Sequence, residues 1–233
     1  MNGILILLLL VLTAVFPAII VFFWFRVKKS PVTLPWFLAS LAAGIISLFA
    51  AAMIQNSFFQ SGTESWNGIG AVFFGIFVRI ALVEEASRFL ILIPLLNIFN
   101  RRLSVPGVAS AAGAAVGLVV GLGFAALENA SYGTADINIT MLRAFTAAPL
   151  HGACGIRVGA AVSAAERRPV KALGFFISAV LIHGAYNLLI VSPAFPAALA
   201  IPTAYIALFA SLSFIKHSVG DDETSINSKL LGP

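Results

Sequence analysis

The sequence predicts an all-α membrane protein: a polytopic transmembrane helical bundle of about seven spans, N-terminus outside and C-terminus cytoplasmic. Three observations carry that prediction. Sixty per cent of the 233 residues are hydrophobic and ten per cent charged, with a mean hydropathy of +1.02, outside the range of a soluble domain. The apolar residues fall into runs of roughly 20, the length that crosses about 30 Å of hydrocarbon. Basic residues occupy alternate loops, as the positive-inside rule requires. The net charge of +5 is spread over helix ends and forms no single patch, which argues against a nucleic-acid partner and for anchoring to the lipid bilayer.

The runs cover residues 3–25, 34–54, 68–98, 105–131, 140–163, 172–192 and 197–215. Helices are forced, because only helices and closed barrels satisfy the backbone in lipid, and no ten-residue alternation of a barrel strand is seen. The first run ends in Arg26-Val27-Lys28-Lys29 and not in a small-residue cleavage site, so it reads as a span and not as a leader. The third is longer than one straight crossing, so part of it should tilt or project. Arg26, Lys28 and Lys29 fall inside, then Arg101 and Arg102, then Arg167, Arg168 and Lys171, and finally Lys216. The opposite loops carry Glu64 and Asp136 without a Lys or Arg. Residues 1–216 read as one integral-membrane domain. Residues 217–233, with Asp221-Asp222-Glu223, read as a polar, disordered cytoplasmic tail. One cysteine, Cys154, excludes an internal disulfide.

Against this apolar background stand Arg79, Glu84, Glu85, Arg88, Glu128, Asn129, Arg143, His151, Arg157, His183 and Asn187, all within predicted spans. A charge at mid-bilayer costs about 2.5–3.5 kcal/mol even on the lenient insertion scale, and usually marks function. Glu84 and Glu85 lie four and three residues before Arg88, so the arginine reaches either carboxylate on one helical face. A lone buried histidine is most often an ordinary hydrogen-bonded core residue. Two histidines and three glutamates in one small bundle point to a site. Gly113, Gly117 and Gly121 form a small-residue stripe that admits a neighbouring helix, and Glu128 falls within about 60° of it. His151 shares a face with Ala148, Gly155 and Gly159, and His183 with Asn187. Arg79, Arg143 and Arg157 fit snorkelling or pairing with helix ends. Counting from Arg102 puts Glu128 about 39 Å up the fourth helix, near the outer surface, whereas Glu84, His151 and His183 count to mid-membrane.

The ordered set Glu84-Glu85-x-x-Arg88, Phe124-x-x-x-Glu128-Asn129, His151 and His183-x-x-x-Asn187 resembles the PrsW family of intramembrane proteases. That family belongs to a larger group with the CAAX-processing and bacteriocin-processing membrane proteases. The resemblance covers about residues 75–190, and Gly123-Phe124-Ala125-Ala126-Leu127-Glu128-Asn129 is its most specific piece. Two features depart from it: PrsW-type proteins typically carry lysine at the position of Arg88, and His183-x-x-x-Asn187 is closer to the CAAX type. The resemblance implies an endopeptidase with Glu84, Glu85, Arg88, Glu128 and Asn187 as catalytic groups. It also implies a membrane protein or peptide substrate of the anti-sigma-factor type, in a bacterial cytoplasmic membrane.

The residues suit that chemistry on their own terms. Hydrolysis of a peptide needs an activated water, a base for its proton, and positive charge near the developing oxyanion. Adjacent carboxylates at low dielectric do not both ionise easily, so one is expected to exchange a proton. His151 and His183 with a carboxylate from Glu128 or Glu84 form an N/O set for zinc, leaving one position for water. No HExxH stretch exists, so the metal is either assembled across helices or absent, with the histidines then orienting water for a glutamate base. Glu/His/Arg clusters also mark proton-coupled transporters and channels, but no repeated halves are found. A catalytically silent scaffold is the third class. Convergence of the ionisable groups around one cavity separates hydrolysis from transport.

Overall fold

The computed structural model describes residues 3–59, 68–103, 109–133 and 137–213. Among them are seven helices and no strand: α1 (Gly3–Val27), α2 (Leu34–Phe58), α3 (69–103), α4 (Ala109–Gly133), α5 (Ile137–Ala164), α6 (Pro169–Val191) and α7 (Ala197–Ser213). Among the described residues, four stretches are long and apolar enough to cross a membrane: Leu8–Val27, Leu34–Phe58, Ala112–Tyr132 and Pro169–Val191. Glu64, Asp136, Lys216 and the expected tail 217–233 lie outside the described residues. Proline opens α2 and α6 within their first two positions, where its missing N–H costs nothing.

Helix α4 is the axis of the bundle. Residues 112–125 are buried on every side, and α1, α2, α3 and α5 all pack against it. By contrast α1, α2 and α6 bury one face and turn large apolar side chains such as Leu12, Phe23, Phe49 and Leu181 outward. That is the exterior a bilayer accepts and water does not.

The tightest contact is between α4 and α5. A Cβ at Gly117 would strike the Gly155 carbonyl, one at Gly121 the His151 carbonyl, and one at Gly113 the Ser163 hydroxyl and Gly159 carbonyl. The pairs run in opposite directions, so the helices are antiparallel and their backbones touch through the predicted glycine stripe. On another side of α4, Gly123 meets the Leu41 backbone and Gly44 of α2 meets Val120 and Phe124. Helix α3 is one element with an irregular centre. It starts as an α-helix over Ile69–Phe73, widens to i→i+5 π-turns over Phe74–Leu82, and resumes as α over Val83–Leu103. The Arg79 carbonyl accepts a hydrogen bond from Gln55 Nε2 of α2 at 3.2 Å.

Glycine to alanine inside an exposed helix ordinarily stabilises by about 0.5–1 kcal/mol. That sign should hold at Gly174, whose surroundings are open. It should reverse at Gly117, where overpacking against backbone costs about 1–3 kcal/mol. Thermal unfolding of Gly117→Ala and Gly174→Ala in detergent tests this, and equal midpoints for the two variants would refute the backbone contact.

Candidate active site

The wide turns of α3 end at Leu82, and the regular helix from Val83 turns Glu84, Glu85 and Arg88 into the bundle. Glu85 and Arg88 are fully buried and Glu84 nearly so. Charges this far from water persist only when met by partners. Arg88 Nη1 donates to Glu85 Oε2 at 2.7 Å, and His183 Nδ1 of α6 lies 2.7 Å from Glu85 Oε1. Both oxygens of Glu85 are thereby occupied. Arg88 Nη2 is 3.0 Å from His151 Nδ1 on α5 and 3.7 Å from Glu84 Oε2. The guanidinium also lies 4.2 Å over the Phe124 ring of α4.

On its other side His151 meets Glu128: Nε2 and Oε2 are 2.8 Å apart. That same oxygen accepts Arg143 Nη2 at 2.7 Å. Arg143 Nε donates to Asn129 Oδ1 at 2.9 Å, and its guanidinium lies 4.1 Å over the Tyr132 ring. Thr140 Oγ1 donates to the Asn129 carbonyl at 2.9 Å. This contact removes the depth conflict. Glu128 stands five residues before the end of α4 and His151 fourteen after the start of α5, an offset of about 13 Å in rise. Helical side chains lean toward their own N-terminus. In antiparallel helices, Glu128 and His151 therefore lean toward one another, and the gap closes.

The partners fix the protons. His151 faces an arginine donor at Nδ1, so its lone pair is there and its proton is on Nε2, donated to Glu128. His183 donates through Nδ1 to Glu85, which leaves its lone pair on Nε2. Glu84 Oε2 stands 3.6 Å from that nitrogen and receives no hydrogen bond among the described residues. Two buried acceptors facing at this distance repel one another unless a proton or a cation lies between them. Ligand atoms of Glu84, His151 and His183 lie within 4.8 Å of one another, and two imidazoles with one carboxylate suit a borderline metal such as zinc. Glu84 Oε2, which has an ion-pair contact with Arg88 but no hydrogen bond, and the His183 lone pair are suited to such an ion. His151 fits once its Nδ1 is released by Arg88.

Six predicted site residues thus meet: Glu84, Glu85, Arg88, Glu128, His151 and His183. The carboxylate that stands with both histidines is Glu84, whereas Glu128 lies behind His151. Asn187, one turn beyond His183, is half-buried. Arg157 lies elsewhere, donating to Ser211 Oγ at 3.0 Å and Ser178 Oγ at 2.8 Å, and so joins α5, α6 and α7. Arg143 was expected to snorkel or to pair with a helix end, and it pairs with Glu128. A signal for that pairing exists in the sequence: Glu128 lies five residues before the end of one helix and Arg143 six after the start of the next, so an antiparallel hairpin brings them nearly opposite.

No curated protein and no solved structure gives a significant match to this chain. A family model described as PrsW family intramembrane metalloprotease matches residues 32–215, a stretch that holds α2 through α7 and every member of the cluster. With most of the chain matched and the ionisable residues of four helices gathered at one point, the protein belongs to the PrsW family of intramembrane metalloproteases.

Proposed function

We propose that this protein hydrolyses a peptide bond in a membrane-embedded or membrane-proximal protein, with Glu84, His151 and His183 as donors to one zinc ion. The facing pair of Glu84 Oε2 and His183 Nε2 at 3.6 Å carries the reading, since these buried acceptors call for a cation. When bound, the ion would supply positive charge to the scissile carbonyl and the attacking water. Glu84 keeps Oε1 to take the water's proton and pass it to the leaving amine as the C–N bond breaks. Glu85 acts as a positioning residue, fixing the His183 tautomer and anchoring Arg88. Glu128 does the same for His151, with Arg143 holding its carboxylate in place. Asn187, on the His183 face, offers amide donors to the substrate carbonyl. Gathering of these groups into one cluster supports hydrolysis over a proton-coupled transporter, which needs them strung along a path.

A second reading uses no metal. A doubly protonated His183 would bridge Glu84 and Glu85 in the same geometry, and Glu84 would act alone on an ordered water. The wider setting we propose is seven crossings with the N-terminus outside. Residues 1–216 form the protease domain, 217–233 a cytoplasmic tail, the membrane is the bacterial cytoplasmic one, and the substrate is of the anti-sigma-factor type. Alternation of the basic loops and the resemblance to the family support this setting.

Glu84→Gln should abolish cleavage of a single-span reporter while leaving thermal stability near wild type. Glu85→Gln should lose both, because neutralising one side of a buried pair costs about 3–5 kcal/mol. Full cleavage by Glu84→Gln would remove it as the proton acceptor. Purified protein should carry about one equivalent of zinc, lost in His183→Ala, and chelation should stop cleavage until zinc is restored. Cleavage by metal-free protein would establish the second reading. Arg143→Ala should lower cleavage about 10–100-fold, the usual effect of losing a group that orients a ligand, and Arg143→Lys less. Unchanged rates would remove Arg143 from the site.

A further inference from the structure

We propose that the Arg88 guanidinium is an internal stand-in for the metal: it holds the donor cluster together in the metal-free protein and must leave His151 for metal to enter. The inference rests on the donor set proposed above. His151 donates through Nε2 to Glu128, so its one lone pair is on Nδ1, and that lone pair is engaged by Arg88 Nη2 at 3.0 Å. A lone pair serves a hydrogen-bond donor or a metal, never both at once. The same nitrogen stands 3.7 Å from Glu84 Oε2. A single guanidinium nitrogen therefore faces two of the three donor residues. Sterics and charge act together here, since two cations sharing these donors at low dielectric repel strongly.

The arginine also has somewhere to go. Nη1 is anchored on Glu85 Oε2 at 2.7 Å, and Nε has no hydrogen-bond partner among the described residues, so no bond at Nε resists rotation. The face of the guanidinium rests on Phe124, a contact that tolerates sliding in its plane. Turning about the Nη1 anchor frees Nη2 from His151 while the ion pair with Glu85 stays intact. Metal entry and guanidinium withdrawal are then one exchange of cations. In the metal-free bundle the arginine offsets part of the buried negative charge, and the affinity for metal is lowered by the cost of displacing it.

The test is zinc titration of metal-stripped protein in detergent, by competition with a chromophoric chelator. It compares wild type, Arg88→Gln and Arg88→Lys, each alone and combined with His183→Ala. Arg88→Gln, which removes the competing charge, should bind zinc at least tenfold more tightly than wild type. Its thermal midpoint should also rise more on adding zinc. Arg88→Lys, which keeps the charge but has one donor nitrogen in place of the two that hold Glu85 and His151, should fall between them, and it carries the test alone if Arg88→Gln does not fold without metal. Binding that depends on His183 but is equal or weaker in the Arg88 variants would overturn the exchange and leave the donor set standing. Zinc binding that is absent, or indifferent to His183, would overturn the donor set and the exchange with it.

Discussion

One buried carboxylate imposes the arrangement of the whole site. Glu85 has no exposed surface, and a carboxylate in that position survives ionised only if each oxygen meets a donor. One donor comes from its own helix, Arg88, and the other from α6, His183. Arg88 then has a second nitrogen to satisfy, and it finds His151 on α5. His151 in turn needs an acceptor at its far nitrogen, and Glu128 of α4 provides it. Four helices are joined in this way by one chain of donors and acceptors. The tautomer of each histidine is a consequence of that chain.

Such a chain closes only if the helices approach to a fixed distance. Glycines on α4 and α5 let their backbones touch, which brings His151 within reach of Glu128. Apolar packing between larger residues would leave a separation that varies with rotamer. In lipid, where hydrophobic burial does not drive helices together, close backbone contact and interhelical hydrogen bonds are the available forces. The glycine stripe thus has a consequence for the geometry of the candidate site although no glycine belongs to it.

Much of this was legible in the sequence because the bilayer restricts the options. The seven apolar runs could only become helices, and Glu85 and Glu84, three and four residues before Arg88, fell within its reach on one face. The glycine stripe placed His151 on the contact side of α5. The π-turns of Phe74–Leu82 were not legible, because that segment is apolar throughout and its periodicity cannot reveal an i→i+5 register. The choice of Glu84 over Glu128 as the partner of both histidines was left open, since it depends on the lean of side chains and on which nitrogen carries a proton. Arg143 looked like an arginine near a helix end, and its role depends on hairpin symmetry about a link only a few residues long.

Finally, the formal charges of the cluster do not sum to zero. Glu84, Glu85 and Glu128 contribute three negative charges, Arg88 and Arg143 two positive ones, and the histidines none in the tautomers their partners dictate. The remainder is one negative charge in a medium that tolerates none well. A single proton would cancel it, which is the state of the metal-free reading with His183 doubly protonated. A divalent ion would overshoot to one positive charge, and the least costly route back to neutrality is for a water within the cluster to give up a proton. Electroneutrality of an apolar interior would then favour formation of the nucleophile, before any particular base is considered.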